Sequence, residues 1–281
     1  MIKIDAHQHF WQFDPIRDVW MDDTMQSIRH DFLPQDLYPI LSTNDVAGCV
    51  AVQADQSENE TNFLLDLANE NEFIKGVVGW VDLRDEKIEE RLSYFSSNKL
   101  LKGVRHIAQG EVDDFLLGDD FKRGIGHLKA YKLTYDILVF AHQLPAAIQL
   151  AKQFPNQKFV LDHIAKPQIS EGLDATWSKN IKSLAECSNV YCKLSGMVTE
   201  TSNSEWTKEI FHPFIELVLE AFGVDRVLYG SDWPVCLLAA SYEEQLEIVE
   251  SYISTFSATE RTRIMGGNAI EFYNLSSDPV R

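Results

Sequence analysis

Ile2-Lys3-Ile4-Asp5-Ala6-His7-Gln8-His9 is the stretch of the 281-residue sequence that decides which kind of parallel sheet the chain forms. The isoleucines predict a first strand over residues 2–5. An open, doubly wound sheet carries a glycine-rich turn after its first strand, whereas this chain continues with His7 and His9. Polar residues at that position are typical of a (β/α)8 barrel, whose active site lies at the carboxyl ends of the strands.

Short β-branched runs recur along the sequence and alternate with segments of helical periodicity. The predicted strands cover residues 2–5, 46–54, 74–83, 101–107, 135–141, 158–162, 189–194 and 225–229. The predicted helices cover residues 60–72, 85–96, 119–130, 145–154, 177–186, 206–222, 242–256 and 257–272. Eight alternating pairs predict an α/β fold closed into a (β/α)8 TIM barrel. Since no linker of low complexity interrupts the pattern, we expect a single domain over residues 1–281.

A long segment follows the first predicted strand. Residues 10–41, which include Trp11 and Trp20, are too many for a simple connection between a strand and a helix. Loops at this end of the strands build the active sites of barrels. We therefore expect the segment to cover the mouth of the barrel as a lid.

The charge of the chain limits its partners. Because 43 acidic residues outnumber 25 basic ones, giving a net charge of -18, we expect neither nucleic acid nor an anionic membrane to bind. No apolar run is long enough to span a bilayer, no leader pattern precedes the first strand, and the four cysteines form no Cys-x-x-Cys pair. These features predict a cytoplasmic protein that binds a small molecule, and they leave the oligomeric state open.

Polar side chains also lie at the carboxyl ends of four other predicted strands. They are Arg105-His106, His142-Gln143, Asp162-His163 and Asp232-Trp233, at the ends of strands four, five, six and eight. Together with His7 and His9, which share one face of strand one, they predict a cluster that holds a divalent metal or hydrogen-bonds a substrate oxygen. The alternative for the histidine pair is two satisfied polar residues at a strand end. Only one of Arg105 and His106 can face the lumen, because neighbours on a strand point to opposite faces.

Five segments of the chain carry a family resemblance: Asp5-Ala6-His7-Gln8-His9-Phe10-Trp11, Gly103-Val104-Arg105-His106, Asp162-His163-Ile164-Ala165-Lys166-Pro167, Gly230-Ser231-Asp232-Trp233-Pro234 and Asn268-Ala269-Ile270-Glu271-Phe272-Tyr273. In this order they resemble the amidohydrolase superfamily, and within it the metal-optional sugar lactonases that open fucono- and rhamnonolactones. The resemblance implies that His7 and His9 form the first-strand pair, that His142 and His163 are the histidines of strands five and six, and that Asp232 is the carboxylate of strand eight.

The resemblance also limits the cofactor. His7, His9, His142 and Asp232 could hold a single zinc, because three imidazole nitrogens and a carboxylate are a plausible ligand set, and the resemblance implies that this zinc is optional rather than required. Two-metal members of the superfamily place a bridging lysine or glutamate at the end of strand four, where this chain has Arg105 and His106. We therefore expect no binuclear centre and no required cofactor.

Lactone hydrolysis assigns a role to each residue. Asp232 is predicted to be the general base that takes a proton from the attacking water and returns it to the ring oxygen, and burial would strengthen it as a base. His163 and His142 are its predicted catalytic partners. The residues predicted to bind substrate are His7, His9, Arg105, His106, Trp20 and Trp233. The alternatives are a turn role for Asp232, a surface ion pair for Arg105 and simple packing for the tryptophans.

Two other functions fit the same barrel. One is the metal-dependent decarboxylation of an aromatic acid, a lyase reaction of a related branch of the superfamily. The other is non-catalytic binding of a sugar acid. Segments 162–167 and 230–234 look like the lactonase branch, and a binding barrel would leave the inward histidines and carboxylate unexplained. The sequence favours the hydrolysis of a lactone without selecting which lactone or which ring size.

Overall fold

Eight parallel strands follow one another around the protein in chain order, each paired with the next. The structure is a computed structural model that describes residues 1–201 and 206–276. The strands are β1 (Lys3–Gln8), β2 (Val46–Val52), β3 (Ile74–Gly79), β4 (Leu101–Ile107), β5 (Thr134–Leu138), β6 (Phe159–Leu161), β7 (Val190–Leu194) and β8 (Val227–Tyr229). The prediction of a (β/α)8 barrel is confirmed, and its strands lie within or beside the predicted runs.

A helix follows every strand. The helices are α1 (Pro34–Thr43), α2 (Glu58–Glu70), α3 (Ile88–Ser96), α4 (Asp119–Leu128), α5 (Leu144–Gln153), α6 (Ala175–Ala185), α7 (His212–Phe222), α8 (Tyr242–Tyr252), α9 (Ala258–Thr262) and α10 (Asn268–Tyr273). Several begin at side-chain caps. The hydroxyls of Ser57, Ser241 and Ser257 each accept from the amide three residues later, which satisfies an amide that the first turn leaves free.

Helix α1 takes up residues 34–41 of the long segment that follows the first strand. Its two prolines argue against a helix, but Pro34 occupies the first helical turn, where proline is tolerated. Residues 9–33 remain irregular apart from a 3-10 turn at Asp23–Ile28. Trp11 and Phe32 exchange main-chain hydrogen bonds across this segment, and the ring of Phe32 packs edge-on against Trp233 after β8.

Asp5 joins the first and last strands. Its Oδ1 atom accepts from the main-chain amides of His7 and Ser231, and its Oδ2 atom accepts from the hydroxyls of Ser231 and Tyr242. Gly230 lets the strands approach closely, because a Cβ atom there would lie 2.7 Å from the Cβ atom of His7. The main chain then closes the ring, with the Asp232 amide donating to the His7 carbonyl oxygen at 2.8 Å.

The lumen is apolar at one end and polar at the other. Ile4, Val50, Val78, Val160 and Leu228 pack together with α10, which closes the amino-terminal end of the barrel. The carboxyl ends of the strands carry the histidines and carboxylates described below. The four cysteines are free and buried, and no helix among residues 1–201 and 206–276 is both long and apolar enough to cross a membrane.

Candidate active site

His7 and His9 lie side by side at the carboxyl end of β1. Both side chains are buried, and their Nε2 atoms are 3.3 Å apart. The Nδ1 atom of His9 lies 2.7 Å from the carbonyl oxygen of Val52. Because a carbonyl oxygen only accepts, His9 carries a hydrogen on Nδ1, and its Nε2 atom faces His7 and Asp232.

Asp232 lies where three histidines converge. It follows β8 with a left-handed φ of 59°, and its Oδ1 atom lies 3.3 Å from His9 Nε2, 3.7 Å from His163 Nε2 and 3.8 Å from His7 Nε2. Burial would raise the pKa of this carboxyl, but the three histidines, His163 foremost, outweigh burial and lower the pKa below its usual range. The expectation that burial strengthens Asp232 as a base is therefore wrong, and the carboxylate is held in its ionised form.

His163 opens an unusual turn after β6. His163, Ile164, Ala165 and Lys166 are four consecutive non-glycine residues with φ between 47° and 62°, a conformation that costs each of them about 1–2 kcal/mol. Ile164 and Ala165 are fully buried, and Trp177 Nε1 donates to the Ile164 carbonyl oxygen at 2.9 Å. The surrounding packing thus holds a strained turn that aims His163 into the lumen.

The His163 ring is fixed from two sides. Its Nδ1 atom lies 2.9 Å from the hydroxyl oxygen of Ser195, and its centroid lies 4.3 Å from that of His7. Burial lowers the pKa of His163 to about 4, although Asp232 and Asp162 act in the opposite direction. His163 is therefore a neutral imidazole at neutral pH.

A buried ion network flanks His7. Lys193 of β7 places its ammonium 2.6 Å from Asp136 Oδ2, 2.9 Å from Asp162 Oδ1 and 3.1 Å from His7 Nδ1. Arg105 of β4 donates to Asp162 Oδ2 at 3.1 Å. Burial would raise the pKa of Asp162, but Lys193, His7 and Arg105 hold it well below its usual range. Two fixed cations and an ionised carboxylate thus surround one histidine.

The donor set fits a divalent metal. One ligand atom each from His7, His9 and Asp232 lies within 4.8 Å of the others, and all three residues are buried. A second group within the same limit consists of His7, Asp162 and His163. Imidazole nitrogen combined with a carboxylate oxygen suits zinc. The site can therefore offer a metal the first-strand pair and the strand-eight carboxylate.

Comparison with known proteins places the chain in a family. A family model described as amidohydrolase matches residues 4–275, nearly the whole chain. The chain belongs to the amidohydrolase family. An L-fucono-1,5-lactonase of Burkholderia multivorans is 38% identical over 98% of this chain and 96% of its own length. An L-fucono-1,5-lactonase of Burkholderia ambifaria is 36% identical over 97% and 96%.

A solved structure of similar fold contains a bound metal ion. It is an amidohydrolase from Burkholderia multivorans with bound zinc. It is 38% identical to this chain, covers 98% of it and 100% of its own chain, and has a TM-score of 0.94. The family resemblance predicted from the sequence is thereby confirmed.

The structure decides which of two neighbouring residues faces the lumen of this amidohydrolase. Arg105 points inward to His7 and Asp162, so the alternative of a surface ion pair is wrong. His106 points the opposite way, where its ring stacks on Phe115 and its Nε2 atom lies 2.9 Å from Glu111 Oε1. The prediction that His106 binds substrate is wrong for this reason.

His142 lies outside the cluster. The prediction of strand five runs to residue 141, but β5 ends at Leu138, and His142 lies in a 3-10 turn just before α5. Its side chain is 61% exposed and pairs with Asp113 at 3.2 Å. The structure contradicts its predicted roles as a catalytic partner and a zinc ligand, and His163 is the histidine that approaches Asp232 instead.

Replacement of His142 by glutamine should therefore leave catalysis almost unchanged. We expect kcat/KM within about twofold of the wild type and a loss of stability below about 1 kcal/mol, because only an exposed ion pair is lost. Steady-state kinetics and thermal unfolding measure both. The matched variant His163→Gln should lose activity severely. A comparable loss in His142→Gln would show that His142 takes part in catalysis.

The two tryptophans predicted to bind substrate differ in exposure, since Trp233 is buried and Trp20 is exposed. Trp233 is only 1% exposed, and its ring packs edge-on against Phe10 and Phe32. It offers no free face to a sugar, so its predicted role in substrate binding is wrong. Trp20 is 42% exposed and lies edge-on to Trp11, and its predicted contact with substrate stays a prediction.

Sequence reasoning missed three residues of the network. Asp136 and Lys193 interrupt the apolar strands β5 and β7, and Tyr273 of α10 donates to Asp136 Oδ2 at 2.6 Å. The available signal was a charge inside a strand that is buried on both faces, since such a charge needs a partner of opposite sign. The pattern could have predicted that each has a partner, but not that they pair with each other.

Proposed function

We propose that this amidohydrolase hydrolyses a sugar-acid lactone, with L-fucono-1,5-lactone as the first candidate. The observation that carries the proposal is the convergence of three histidines on the ionised Asp232 at the carboxyl end of the barrel. Relatives that are 36% and 38% identical over almost the whole chain are L-fucono-1,5-lactonases. A lactone is an activated ester, so its opening requires a base, an oriented water and stabilisation of the oxyanion.

Asp232 is proposed as the general base. It takes a proton from water as the oxygen of that water bonds to the lactone carbonyl carbon. The bond between this carbon and the ring oxygen then breaks, and Asp232 returns the proton to the ring oxygen, which leaves as a hydroxyl. The products are the open sugar acid and the unchanged enzyme. A low pKa makes Asp232 a weak base, so its position beside the water has to supply much of the catalysis.

The histidines are proposed to bind the reacting atoms. His9 and His163 border Asp232 Oδ1 at 3.3 Å and 3.7 Å, close enough to orient a water beside the carboxylate. As a neutral imidazole, His163 offers one donor and one acceptor. Arg105 is permanently charged and lies 3.3 Å from His7 Nε2, so its field stabilises a nearby oxyanion.

A divalent metal would be held by His7, His9 and Asp232. When bound, it would polarise the lactone carbonyl as a Lewis acid or lower the pKa of a water. The proposed reaction requires no such ion, since the base and the polar groups all come from the chain. That zinc is optional remains our prediction.

The pH dependence of catalysis should follow His163. Burial lowers the pKa of His163 to about 4, and the pKa of Asp232 lies below its own usual range. As the pH falls, His163 therefore gains its proton only near pH 4, while Asp232 is still ionised. We expect kcat/KM to be flat from neutral pH down to about pH 5 and then to decline. A decline centred near pH 6.5, the ordinary histidine pKa, would contradict the claim that His163 is neutral at neutral pH.

A panel of aldonolactones tests the proposed function directly. Each five- and six-membered lactone is added to weakly buffered enzyme with a pH indicator, and the release of acid is compared with the spontaneous rate. We expect strong acceleration for L-fucono-1,5-lactone or a close relative. The absence of acceleration for every lactone, combined with tight binding of a sugar acid, would favour a non-catalytic barrel.

A further inference from the structure

Strand β2 brings no histidine, arginine or carboxylate to the site, yet its end holds two side chains that belong to the site. The residues of β2 itself are apolar or small. The Val52 carbonyl oxygen lies 2.7 Å from His9 Nδ1. The next carbonyl oxygen along the chain, that of Gln53, accepts a hydrogen bond from Arg105 Nη2. Two consecutive main-chain oxygens at the end of β2 therefore fix His9 and Arg105.

Gln53 also binds Arg105 with its side chain. Strand β3 lies between β2 and β4 in the sheet, and its last residue, Gly79, pairs with Val104. Arg105 is therefore the first residue of β4 beyond the part that pairs with β3. The Gln53 side chain reaches past the end of β3, where its Nε2 atom donates to the Arg105 carbonyl oxygen at 3.2 Å. The amide thus links β2 directly to β4.

The two contacts are reciprocal, since each residue binds the main chain of the other with its side chain. Gln53 is fully buried and Arg105 almost so, which strengthens both hydrogen bonds. The other terminal nitrogen of Arg105, Nη1, lies 3.1 Å from Asp162 Oδ2 and 3.3 Å from His7 Nε2. Because a guanidinium is a rigid planar fork, fixing Nη2 against β2 also fixes the direction of Nη1.

We propose that Gln53 is a positioning residue for catalysis and acts through Arg105. Its amide keeps the end of β2 against β4, and so keeps in place the carbonyl oxygen that anchors the guanidinium. The anchored guanidinium then holds its positive charge towards the site before substrate arrives, as electrostatic stabilisation of an oxyanion requires. This inference rests on the proposed function, in which Arg105 stabilises the oxyanion.

Gln56 provides a matched control for a purely structural link. Its Oε1 atom accepts from the main-chain amide of Ile107 at 2.8 Å, so it also joins the segment after β2 to β4. This bond does not involve Arg105. Gln53→Met and Gln56→Met each replace one glutamine amide with an apolar side chain of similar length, and each removes a hydrogen bond to the main chain of β4. Only the first should disturb the guanidinium.

Kinetics of these variants test the proposal. We expect Gln53→Met to lower kcat for the lactone about tenfold and to leave KM within about twofold, because a displaced guanidinium stabilises the transition state less. Gln56→Met should keep kcat within about twofold of the wild type. Arg105→Lys keeps the charge but lacks the fork, so in that background Gln53→Met should change kcat by less than about twofold.

Three kinetic results would overturn the proposal. They are an unchanged kcat in Gln53→Met, an equal loss in Gln56→Met, and an undiminished tenfold loss when Gln53→Met is added to Arg105→Lys. Each would show that the amide of Gln53 does not act through Arg105.

The guanidinium itself can be observed in the wild type, where folding is not at risk. In protein labelled with 15N arginine, a held guanidinium gives separate signals for its two Nη atoms, and those of Arg105 are assigned from the spectrum of Arg105→Lys. We expect separate signals in the wild type and faster exchange between them in Gln53→Met. A single averaged signal in the wild type would refute the anchoring, even if Gln53→Met failed to fold. If the wild type opens no lactone, the proposed function fails, and this spectrum alone decides whether Arg105 is anchored.

Discussion

Replacing Asp232 with asparagine is expected to lower kcat for lactone hydrolysis by about 10²–10⁴-fold, the usual contribution of a general base. The amide has nearly the same shape but accepts no proton at neutral pH. Because His7, His9 and His163 remain in place, KM should change far less than kcat. Initial rates over a range of lactone concentrations measure both quantities.

Asp113→Asn is the matched control for this variant. It also removes one carboxylate beside a histidine, but the pair that Asp113 forms with His142 is exposed. We expect its kinetics to match the wild type. If Asp232→Asn retained near-normal kcat while folding normally, another group would have to be the base, and the assignment of Asp232 would be wrong.

Gly196→Ala should have the second large effect. Gly196 has a φ of 60°, and a Cβ atom there would lie 2.5 Å from His163 Nδ1 and 2.7 Å from its Cγ. His163 belongs to the strained left-handed turn, so it has little freedom to retreat. We expect its hydrogen bond to Ser195 to break and kcat/KM to fall by about 10²-fold, since a displacement of about 1 Å at a reacting group has that effect. Kinetics and the His163 ring 15N shifts report the change.

Gly172→Ala separates backbone strain from this contact. Gly172 also has a positive φ, 79°, but nothing lies within 4 Å of an added Cβ atom. Both variants should lose stability, by about 1–2 kcal/mol for the left-handed backbone. Only Gly196→Ala should lose activity. Equal activity in the two variants would show that His163 does not depend on the space at Gly196.

The sequence was sufficient to predict the barrel because its evidence was local and repeated. Each strand is a short apolar run, and each is followed by a periodic helix, so an error of a few residues at one end left the order of elements intact. The His-x-His pair and Asp232 were predictable for the same reason, since they lie at the carboxyl ends of strands. Residues that come from separate strands and meet in space had no such local signal.

His142 and His163 show where this reasoning reached its limit. Both follow an apolar strand, yet His142 lies beyond the true end of β5 and points to solvent, whereas His163 is turned inward by four left-handed residues. None of those four is a glycine, so the composition gave no sign of the turn. The packing of Ile164, Ala165 and Trp177 imposes it, and packing of that kind depends on the assembled barrel.

The ion network gives the site a rigidity that the histidines alone would lack. Arg105, Asp136 and Lys193 belong to β4, β5 and β7, Asp162 directly follows β6, and the four residues meet inside the barrel beside His7. A buried charge that loses its partner is strongly destabilising, so the four residues hold one another in place. The network thus fixes His7 before any ligand arrives, which reduces the reorganisation that catalysis requires.

The initial rate of acid release from L-fucono-1,5-lactone, measured with exhaustively chelated wild-type protein and with identically treated Asp232→Asn, tests the central claim most directly. The account predicts that the chelated wild type keeps most of its rate and that the variant falls to near the spontaneous rate. A chelated wild type that is inactive until zinc is restored, or a variant as fast as the wild type, would contradict it.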